Sequence, residues 1–284
     1  MTRERFQVVR WPYILLWLPV AIFSWWINWR KSLLPPNKKI RRYSWLYDRS
    51  DAVMAVRDGA GRWPALEAVY NWEPKKKGLD GLLEAFWMNV RSAQALRNRR
   101  LIVVSILRET VTKAIKRDGE ARILSVACGS AQTVLEAVQG MQNVRILGID
   151  IDPTAIEYSK KLAERYGVED IKWREGNILS PKSLADEFDP NIIEVVGLFD
   201  YLSDKVIVGL LHRLGKMARP GTTLLTAHVH PNSEKFMLHS IVDWDMIYRP
   251  RAEFERLMCE GGLEQAHYYA EPHGIFTVAC GQLP

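Results

Sequence analysis

Short apolar runs alternate with stretches of helical periodicity along the chain from residue 120 onward. The apolar runs predict strands near residues 122–127, 144–150, 171–174, 192–198, 222–229, 263–270 and 274–280. Between them, apolar residues spaced three and four apart predict helices at residues 130–140, 153–166, 203–218 and 250–261. This alternation predicts an α/β fold with a mostly parallel, doubly wound sheet and helices on both faces. The last two strands are expected to form an antiparallel hairpin at one edge.

The first part of the chain has a different pattern, because residues 11–29 form a run of 19 residues without a charge. A helix of this length rises about 28 Å, close to the roughly 30 Å hydrocarbon core of a bilayer. Basic residues flank the run, and Trp and Tyr lie near both of its ends, as at membrane interfaces. We predict that residues 1–34 are a membrane-associated segment, either a transmembrane helix or an interfacial helix.

Pro19 interrupts the run and so favours an interfacial helix over a transmembrane one. A buried core helix remains a third alternative. The heavier basic flank follows the run, which predicts that the rest of the chain lies on the cytoplasmic side of the membrane.

Residues 35–118 are predicted to form a basic, mostly helical module that caps a substrate. In residues 1–118 there are 23 Lys and Arg against 10 Asp and Glu, whereas residues 119–284 carry 16 against 23. Such polarity indicates an anionic partner, and the Trp-rich run favours lipid over nucleic acid. Four arginines are open to two interpretations, as contacts to phosphates or a carboxylated substrate, or as a solvated helix face: Arg91, Arg97, Arg99 and Arg100.

The first predicted strand of the second part ends in a tight turn, ILSVACGSAQ at residues 123–132, and a helix follows directly. Asp150 ends the next strand, 21 residues beyond Gly129, in the sequence GIDID. This is the layout of a nucleoside-binding βαβ unit, in which backbone N–H groups approach the ligand and an acid binds the ribose. The turn has a single glycine, so it lacks the G-x-G-x-x-G spacing of dinucleotide-binding folds.

These motifs resemble those of the class I S-adenosylmethionine-dependent methyltransferases over residues 119–284. The resemblance implies a Rossmann-like seven-stranded sheet, with Asp150 as the ribose acid and Asn177 in the adenine-contacting loop. It implies cofactor contacts from Ala127, Cys128, Gly129, Ser130, Asp150, Ile151, Asn177, Ile178 and Leu198. The chain departs from the family pattern where Ser125 replaces an acid and where Ala127 and Ala131 replace glycines.

Residues at the ends of the fourth and fifth predicted strands, and in the segment before the last predicted helix, are candidates for the acceptor side. A hydroxyl or amine acceptor benefits from a nearby His, Tyr or Asp, whereas a carboxylate needs no base at neutral pH. Asp200, Tyr201 and His228 are the candidate catalytic residues, and His230, Tyr248 and Arg249 are candidate substrate-binding residues. The loop Gly197–Leu202 resembles the G-L-x-D-Y-L loop of a bacterial subgroup that includes enzymes making methyl esters of hydroxy fatty acids.

The predicted function is therefore a membrane-associated methyltransferase acting on a small or amphiphilic acceptor, such as a lipid, a fatty-acid carboxylate or hydroxyl, or an isoprenoid. The alternatives are an RNA or protein methyltransferase that uses the basic first half, and a catalytically inactive adaptor. The sequence has no N/D-P-P-Y segment or Pro-Cys pair after the fourth strand, which argues against adenine-N6 and cytosine-C5 chemistry. Three sparse cysteines indicate a reducing environment, and no Cys/His cluster predicts a metal site.

Overall fold

The computed structural model of the protein describes residues 6–8, 13–35, 40, 43, 47–48, 50–180 and 188–284. The chain forms two compact units, one of Met1–Asn98 with Pro231–Met246 and one of Arg99–His230 with Ile247–Pro284. The α-helices are α1 (Tyr13–Ser32), α2 (Asp51–Asp58), α3 (Trp63–Tyr70), α4 (Gly78–Met88), α5 (Arg91–Asp118), α6 (Gln132–Val138), α7 (Pro153–Tyr166), α8 (Asp204–Met217), α9 (Lys235–Met237) and α10 (Arg251–Glu260).

The second unit is built on a seven-stranded mixed sheet. Its strands are β1 (Ala121–Val126), β2 (Val144–Asp150), β3 (Ile171–Glu175), β4 (Ile192–Val196), β5 (Thr223–Val229), β6 (Glu264–Ala270) and β7 (Phe276–Gln282). Their order in the sheet is β3-β2-β1-β4-β5-β7-β6. The first five strands pair in parallel, and β7 lies between β5 and β6, antiparallel to both. The α/β prediction and the terminal hairpin are confirmed.

Every predicted strand and helix of this unit ends within two residues of the observed one. Helix α7 shows why the element boundaries can be predicted from the sequence. The Asp152 side chain accepts a hydrogen bond from the Thr154 N–H, Pro153 occupies the first helical position, and Gly167 ends the helix with φ 65°. Each of these residues favours its observed position for a local reason, so the sequence alone marks both ends of the helix.

Apolar cores lie on both faces of this sheet. On one face, the part of α5 from residue 102 to 114 packs with α6 against β1, β4 and β5. On the other face, α8 and α10 pack against the same strands and bury Phe199, Leu211 and Phe254. Because helices cover both faces, the carboxyl ends of the parallel strands are where a ligand can approach the sheet.

The first unit places α1 against an aromatic cluster. Ser24 and Ile27 of α1 are buried, at 1% and 0% exposure, and Phe23 lies against Tyr47 with ring centroids 6.4 Å apart. Lys31 forms an ion pair with Asp243, and the Tyr43 hydroxyl donates to the same carboxylate at 2.8 Å. One face of α1 is thus fixed to the rest of its unit.

Residues 231–246 belong to the first unit although they are far from it in sequence. The Glu234 carboxylate accepts hydrogen bonds from the Arg91 and Ser92 N–H groups, at 3.0 and 2.7 Å. A carboxylate at a helix N-terminus satisfies unpaired N–H groups and complements the helix dipole. The predicted domain boundary at residues 118/119 falls at the end of α5, whereas the compact units divide at 98/99 within that helix.

The predicted transmembrane alternative for residues 1–34 is not supported. Within the part of the chain that the structure describes, no helix combines the length and the apolar character needed to cross a bilayer. Residues 11 and 12, where the uncharged run begins, lie outside the described residues.

Three of the four candidate phosphate-binding arginines are engaged inside the protein. Arg97 is buried and donates to the carbonyl of Met88 and the side chain of Asn89. Arg99 is 2% exposed, and Arg100 pairs with Glu136 at 2.7 Å. Neither interpretation, phosphate contacts or a solvated helix face, fits Arg97 and Arg99, because both side chains are buried, and Arg100 is paired with Glu136.

Candidate active site

The turn after β1 carries three residues with a left-handed backbone. Ala127, Gly129 and Ala131 have φ values of 51°, 54° and 53°. This conformation costs alanine about 1–2 kcal/mol, whereas glycine adopts it freely. The Cys128 N–H donates to the Ile149 carbonyl at 3.0 Å, which ties the turn to β2. The two alanines thus hold the backbone conformation expected of the glycines they replace.

Replacing Ala127 with glycine is expected to raise the free energy of unfolding by about 1 kcal/mol, because the strain of left-handed alanine is removed. Ala127 is only half buried, so the substitution loses little packing. Ala131→Gly is the matched control: its φ is nearly the same, but its methyl group is buried and its loss costs about 1 kcal/mol. Urea denaturation compares the variants, and a destabilised Ala127→Gly protein would contradict this account of the turn.

Asp150 joins the ends of β1 and β2. Its Oδ2 accepts a hydrogen bond from the Gly129 N–H at 2.7 Å, and its Oδ1 accepts one from the Asp152 N–H at 2.9 Å. The helix-capping role falls to Asp152, so the Asp150 carboxylate faces the turn. Ile151 follows it with 65% of its surface exposed. The structure therefore brings the predicted ribose acid and the predicted turn together at one open edge.

The other residues predicted to contact a cofactor differ in how exposed they are. Asn177 is exposed, and its Oδ1 accepts a hydrogen bond from the Leu179 N–H at 2.9 Å. Ile178 is buried in the apolar core, so its side chain does not reach an open surface. Leu198 is half buried against that core, and Ser130 is buried in the turn. Burial raises the pKa of the Cys128 thiol well above its usual value, so this cysteine is not a nucleophile at neutral pH.

A buried cluster of charged groups lies at the carboxyl ends of β4 and β5. Asp200 is 2% exposed, and its Oδ1 lies 2.8 Å from Nδ1 of His228 and accepts the Val229 N–H at 3.0 Å. The His228 contact has ion-pair distance without hydrogen-bond alignment. Arg99 places Nη1 3.8 Å from Asp200 Oδ2 and stacks on the Phe276 ring. The cluster positions the loop after β4 from within the protein.

Arg249 belongs to this cluster rather than to a substrate site. It is 2% exposed and pairs with Asp204 Oδ1 at 2.8 Å. Its other donors serve the Phe199 and Leu202 carbonyls, and Nη1 lies 3.4 Å from Nε2 of His228. The prediction that Arg249 holds a substrate carboxylate is corrected, because its donors are committed to protein groups.

The two predicted histidines are both enclosed by protein. His228 is 0% exposed, with one ring nitrogen toward Asp200 and the other toward Arg249. His230 is buried between the Arg249 carbonyl and the Thr277 hydroxyl, 2.8 and 2.7 Å from its ring nitrogens, and burial lowers its pKa. As placed, both histidines position their neighbours, and neither ring offers a free nitrogen to a substrate.

The two predicted tyrosines differ in access. Tyr201, in a 3₁₀ turn next to Asp200, is 38% exposed. Tyr248 is half buried and its hydroxyl oxygen is fully buried. Of the candidate acceptor-side residues, Tyr201 is the one that presents its side chain to solvent.

A separate cleft of about 830 Å³ lies at the amino ends of β1 and β2, next to Glu120 and Arg145. It is at the opposite end of the sheet from Asp150, whereas ligands of such folds bind at the carboxyl ends. Within the described ranges, no group of three or more His, Cys, Asp or Glu side chains could hold a metal ion.

The comparisons with known proteins agree with this geometry. A family described as "Putative methyltransferase" matches residues 50–282, which is most of the chain and includes the whole sheet. The chain belongs to this methyltransferase family. A search of curated proteins finds no match to it.

Solved structures share the fold of this methyltransferase at low sequence identity. A possible exported protein from Bordetella parapertussis is 15% identical, with a TM-score of 0.69 and coverage of 93% of this chain and 95% of that one. An O-methyltransferase family protein from Burkholderia thailandensis is 15% identical, with a TM-score of 0.54 and coverage of 90% and 82%. Magnesium protoporphyrin IX methyltransferase from Synechocystis, with bound S-adenosylhomocysteine, is 9% identical, with a TM-score of 0.52 and coverage of 69% and 89%.

The residues at this edge of the sheet fit the chemistry of S-adenosylmethionine, the cofactor that the sequence resemblance implies. The Asp150 carboxylate suits a ribose diol, and the N–H groups of the 127–131 turn suit a carboxylate. Ser125 stands where the family pattern has an acid. On the neighbouring strand β4 its register partner is Glu194, and Ser125 Oγ donates to Glu194 Oε2 at 2.6 Å. An acid is therefore present beside this position, on the next strand. Glu194 is thus a buried acid beside β1, and the buried Arg99 guanidinium interacts with its charge.

Glu194 is a residue that the sequence reasoning missed, whereas Arg99 was considered as a contact to phosphates or a carboxylated substrate. Burial raises the pKa of Glu194 to about 7, against the lowering effects of the Ser125 hydrogen bond and the Arg99 charge. A signal for Glu194 existed, because it is the single charged residue in the apolar run IIEVV. Its role becomes visible only from the register of β4 against β1.

Proposed function

We propose that this methyltransferase transfers the methyl group of S-adenosylmethionine to a carboxylate oxygen of a small or amphiphilic acid. The observation that carries the proposal is the burial of the candidate bases, with Asp200 at 2% and His228 at 0% exposure. A base in contact with a hydroxyl or amine acceptor speeds its methylation, whereas a carboxylate is already anionic at neutral pH and gains nothing from a base. The acceptor side fits a substrate that needs no deprotonation.

The protein's own contribution is the fixed position of the loop after β4. Asp200 anchors this loop through its side chain, and its carbonyl accepts the Ile247 N–H at 2.8 Å. The adjacent Tyr201 then presents a phenol that can donate a hydrogen bond to an acceptor oxygen. When bound, the cofactor supplies the methyl group: its carbon–sulfur bond breaks, the electron pair stays on sulfur, and the carbon bonds to the acceptor oxygen. Holding the acceptor oxygen in line with the carbon–sulfur bond supplies most of the rate enhancement in such a displacement.

Two further considerations favour an oxygen acceptor on a small molecule over RNA. The Burkholderia structure is described as an O-methyltransferase family protein, which favours oxygen over nitrogen or carbon. The RNA alternative lost its main support when Arg97, Arg99 and Arg100 were found to serve partners inside the protein.

The test is an acceptor panel with methyl-labelled S-adenosylmethionine. We expect label in a free long-chain fatty acid, as an ester that alkali hydrolyses to methanol, and little in the matching fatty alcohol. Tyr201→Phe should lower kcat/KM by about ten-fold through loss of one hydrogen bond, while the exposed control Tyr269→Phe should not. Turnover of the alcohol or of RNA without turnover of the acid would overturn the proposal.

A further inference from the structure

One face of α1 exposes an apolar stripe, which together with Leu33 in the turn directly after the helix we call the α1 face: Leu18, Ile22, Trp25, Trp29 and Leu33. Their exposed fractions are 60%, 58%, 64%, 49% and 65%. At 100° per residue the four helical positions fall within an arc of about 60° and extend over about 17 Å. The buried Ser24 and Ile27 lie on the opposite side of the helix. This helix is therefore apolar on both sides, and only one side is used by its own unit.

The flanking charges indicate what covers the α1 face. Residues 1–42 contain nine Lys and Arg and a single acid, Glu4. Arg30 donates to the Tyr43 carbonyl and Lys31 pairs with Asp243, so these two charges are engaged within the unit. The remaining basic residues lie in the segments that precede and follow the helix. A second copy would bring two such basic segments together, whereas an anionic lipid surface would neutralise them.

We propose that the α1 face binds the surface of an anionic lipid bilayer, with the helix axis parallel to the membrane plane. Exposed tryptophans beside basic flanks are the composition of interfacial helices, whose apolar side enters the boundary between headgroups and acyl chains. The inference deepens the proposed function, because it names the surface from which an amphiphilic acid would reach the enzyme. It does not depend on methyl transfer, so binding and turnover can each fail without the other.

The experiment is co-sedimentation of the full chain with vesicles of phosphatidylcholine alone and of phosphatidylcholine mixed with phosphatidylserine. We expect stronger binding to the mixed vesicles, weakened by salt, with a blue shift of Trp fluorescence. Trp25→Ser with Trp29→Ser should reduce partitioning by about ten-fold or more, since each loses a large apolar side chain. Leu179→Ser with Tyr269→Ser, two exposed positions elsewhere, is the matched control and should bind like the wild type.

Circular dichroism and the thermal midpoint confirm that the exposed substitutions leave the fold intact. Equal binding of the Trp variant and the wild type would overturn the inference, as would failure of the wild type to bind either vesicle. A wild-type dimer that the Trp variant breaks, without vesicle binding, would assign the α1 face to a second copy instead.

Discussion

Replacing Asp150 with alanine is expected to weaken the binding of S-adenosylmethionine by about 100-fold or more. Two charge-assisted hydrogen bonds to a ribose diol are worth about 1.5–3 kcal/mol each. The substitution also removes the acceptor of the Gly129 and Asp152 N–H groups, which holds the turn after β1 against the end of β2. Titration calorimetry of purified wild type and variant with the cofactor and with S-adenosylhomocysteine measures the difference.

The matched control is Asp152→Ala, two residues away. Asp152 caps α7 through the Thr154 N–H, so its loss costs about 1 kcal/mol of stability but removes no cofactor contact. Its affinity should stay near that of the wild type. Asp150→Asn, which keeps the shape and loses the charge, should be intermediate. Equal affinities of wild type and Asp150→Ala would place the ribose elsewhere, and a folded wild type that binds no cofactor would restore the adaptor alternative.

Replacing Arg249 with methionine is expected to lower the free energy of unfolding by about 2–3 kcal/mol. The guanidinium is 2% exposed and serves Asp204 and the carbonyls of Phe199 and Leu202. Methionine fills much of the volume but donates to neither carbonyl, whereas the Asp204 carboxylate is 44% exposed and can be solvated by water. Urea denaturation at neutral pH measures the loss.

Arg256→Met is the matched control, because Arg256 also approaches Asp204, with Nη2 3.6 Å from Oδ2. Its side chain is 51% exposed, so solvent screens its ion pairs with Asp204 and Glu260, and this variant should unfold at nearly the same urea concentration as the wild type. A loss under about 1 kcal/mol in Arg249→Met would mean that the cluster at the ends of β4 and β5 tolerates the change. It would also reopen Arg249 as a substrate ligand.

The second unit could be predicted because its elements are specified locally. Parallel strands covered on both faces are apolar along their length, and β2 was predicted at its observed residues, 144–150. The turn after β1 and Asp150 could be predicted because each lies at the carboxyl end of a predicted strand, 21 residues apart when counted from Gly129. The shape of the turn was not predictable in the same way, because alanine rarely adopts the φ that Ala127 and Ala131 have.

The burial of charged residues could not be predicted from the sequence. Arg249 and Arg99 look like surface arginines by residue type, and their partners Asp204 and Asp200 lie 45 and 101 positions away. Whether an arginine faces a ligand or a carbonyl is decided by these distant contacts. The compensation of Ser125 by Glu194 has the same origin, because it depends on which strand lies beside β1.

The discontinuity of the first unit sets an order of events during synthesis. Most domains fold from the N-terminus as the chain leaves the ribosome. Residues 1–98 cannot complete their unit in this way, because Glu234 and Asp243 belong to it and follow most of the second unit in sequence. The N-terminal helices therefore keep part of their apolar surface uncovered until β5 and residues 231–246 have been translated. The sheet unit still lacks β6 and β7 at that point, so neither unit has all of its residues until more than four fifths of the chain has been translated.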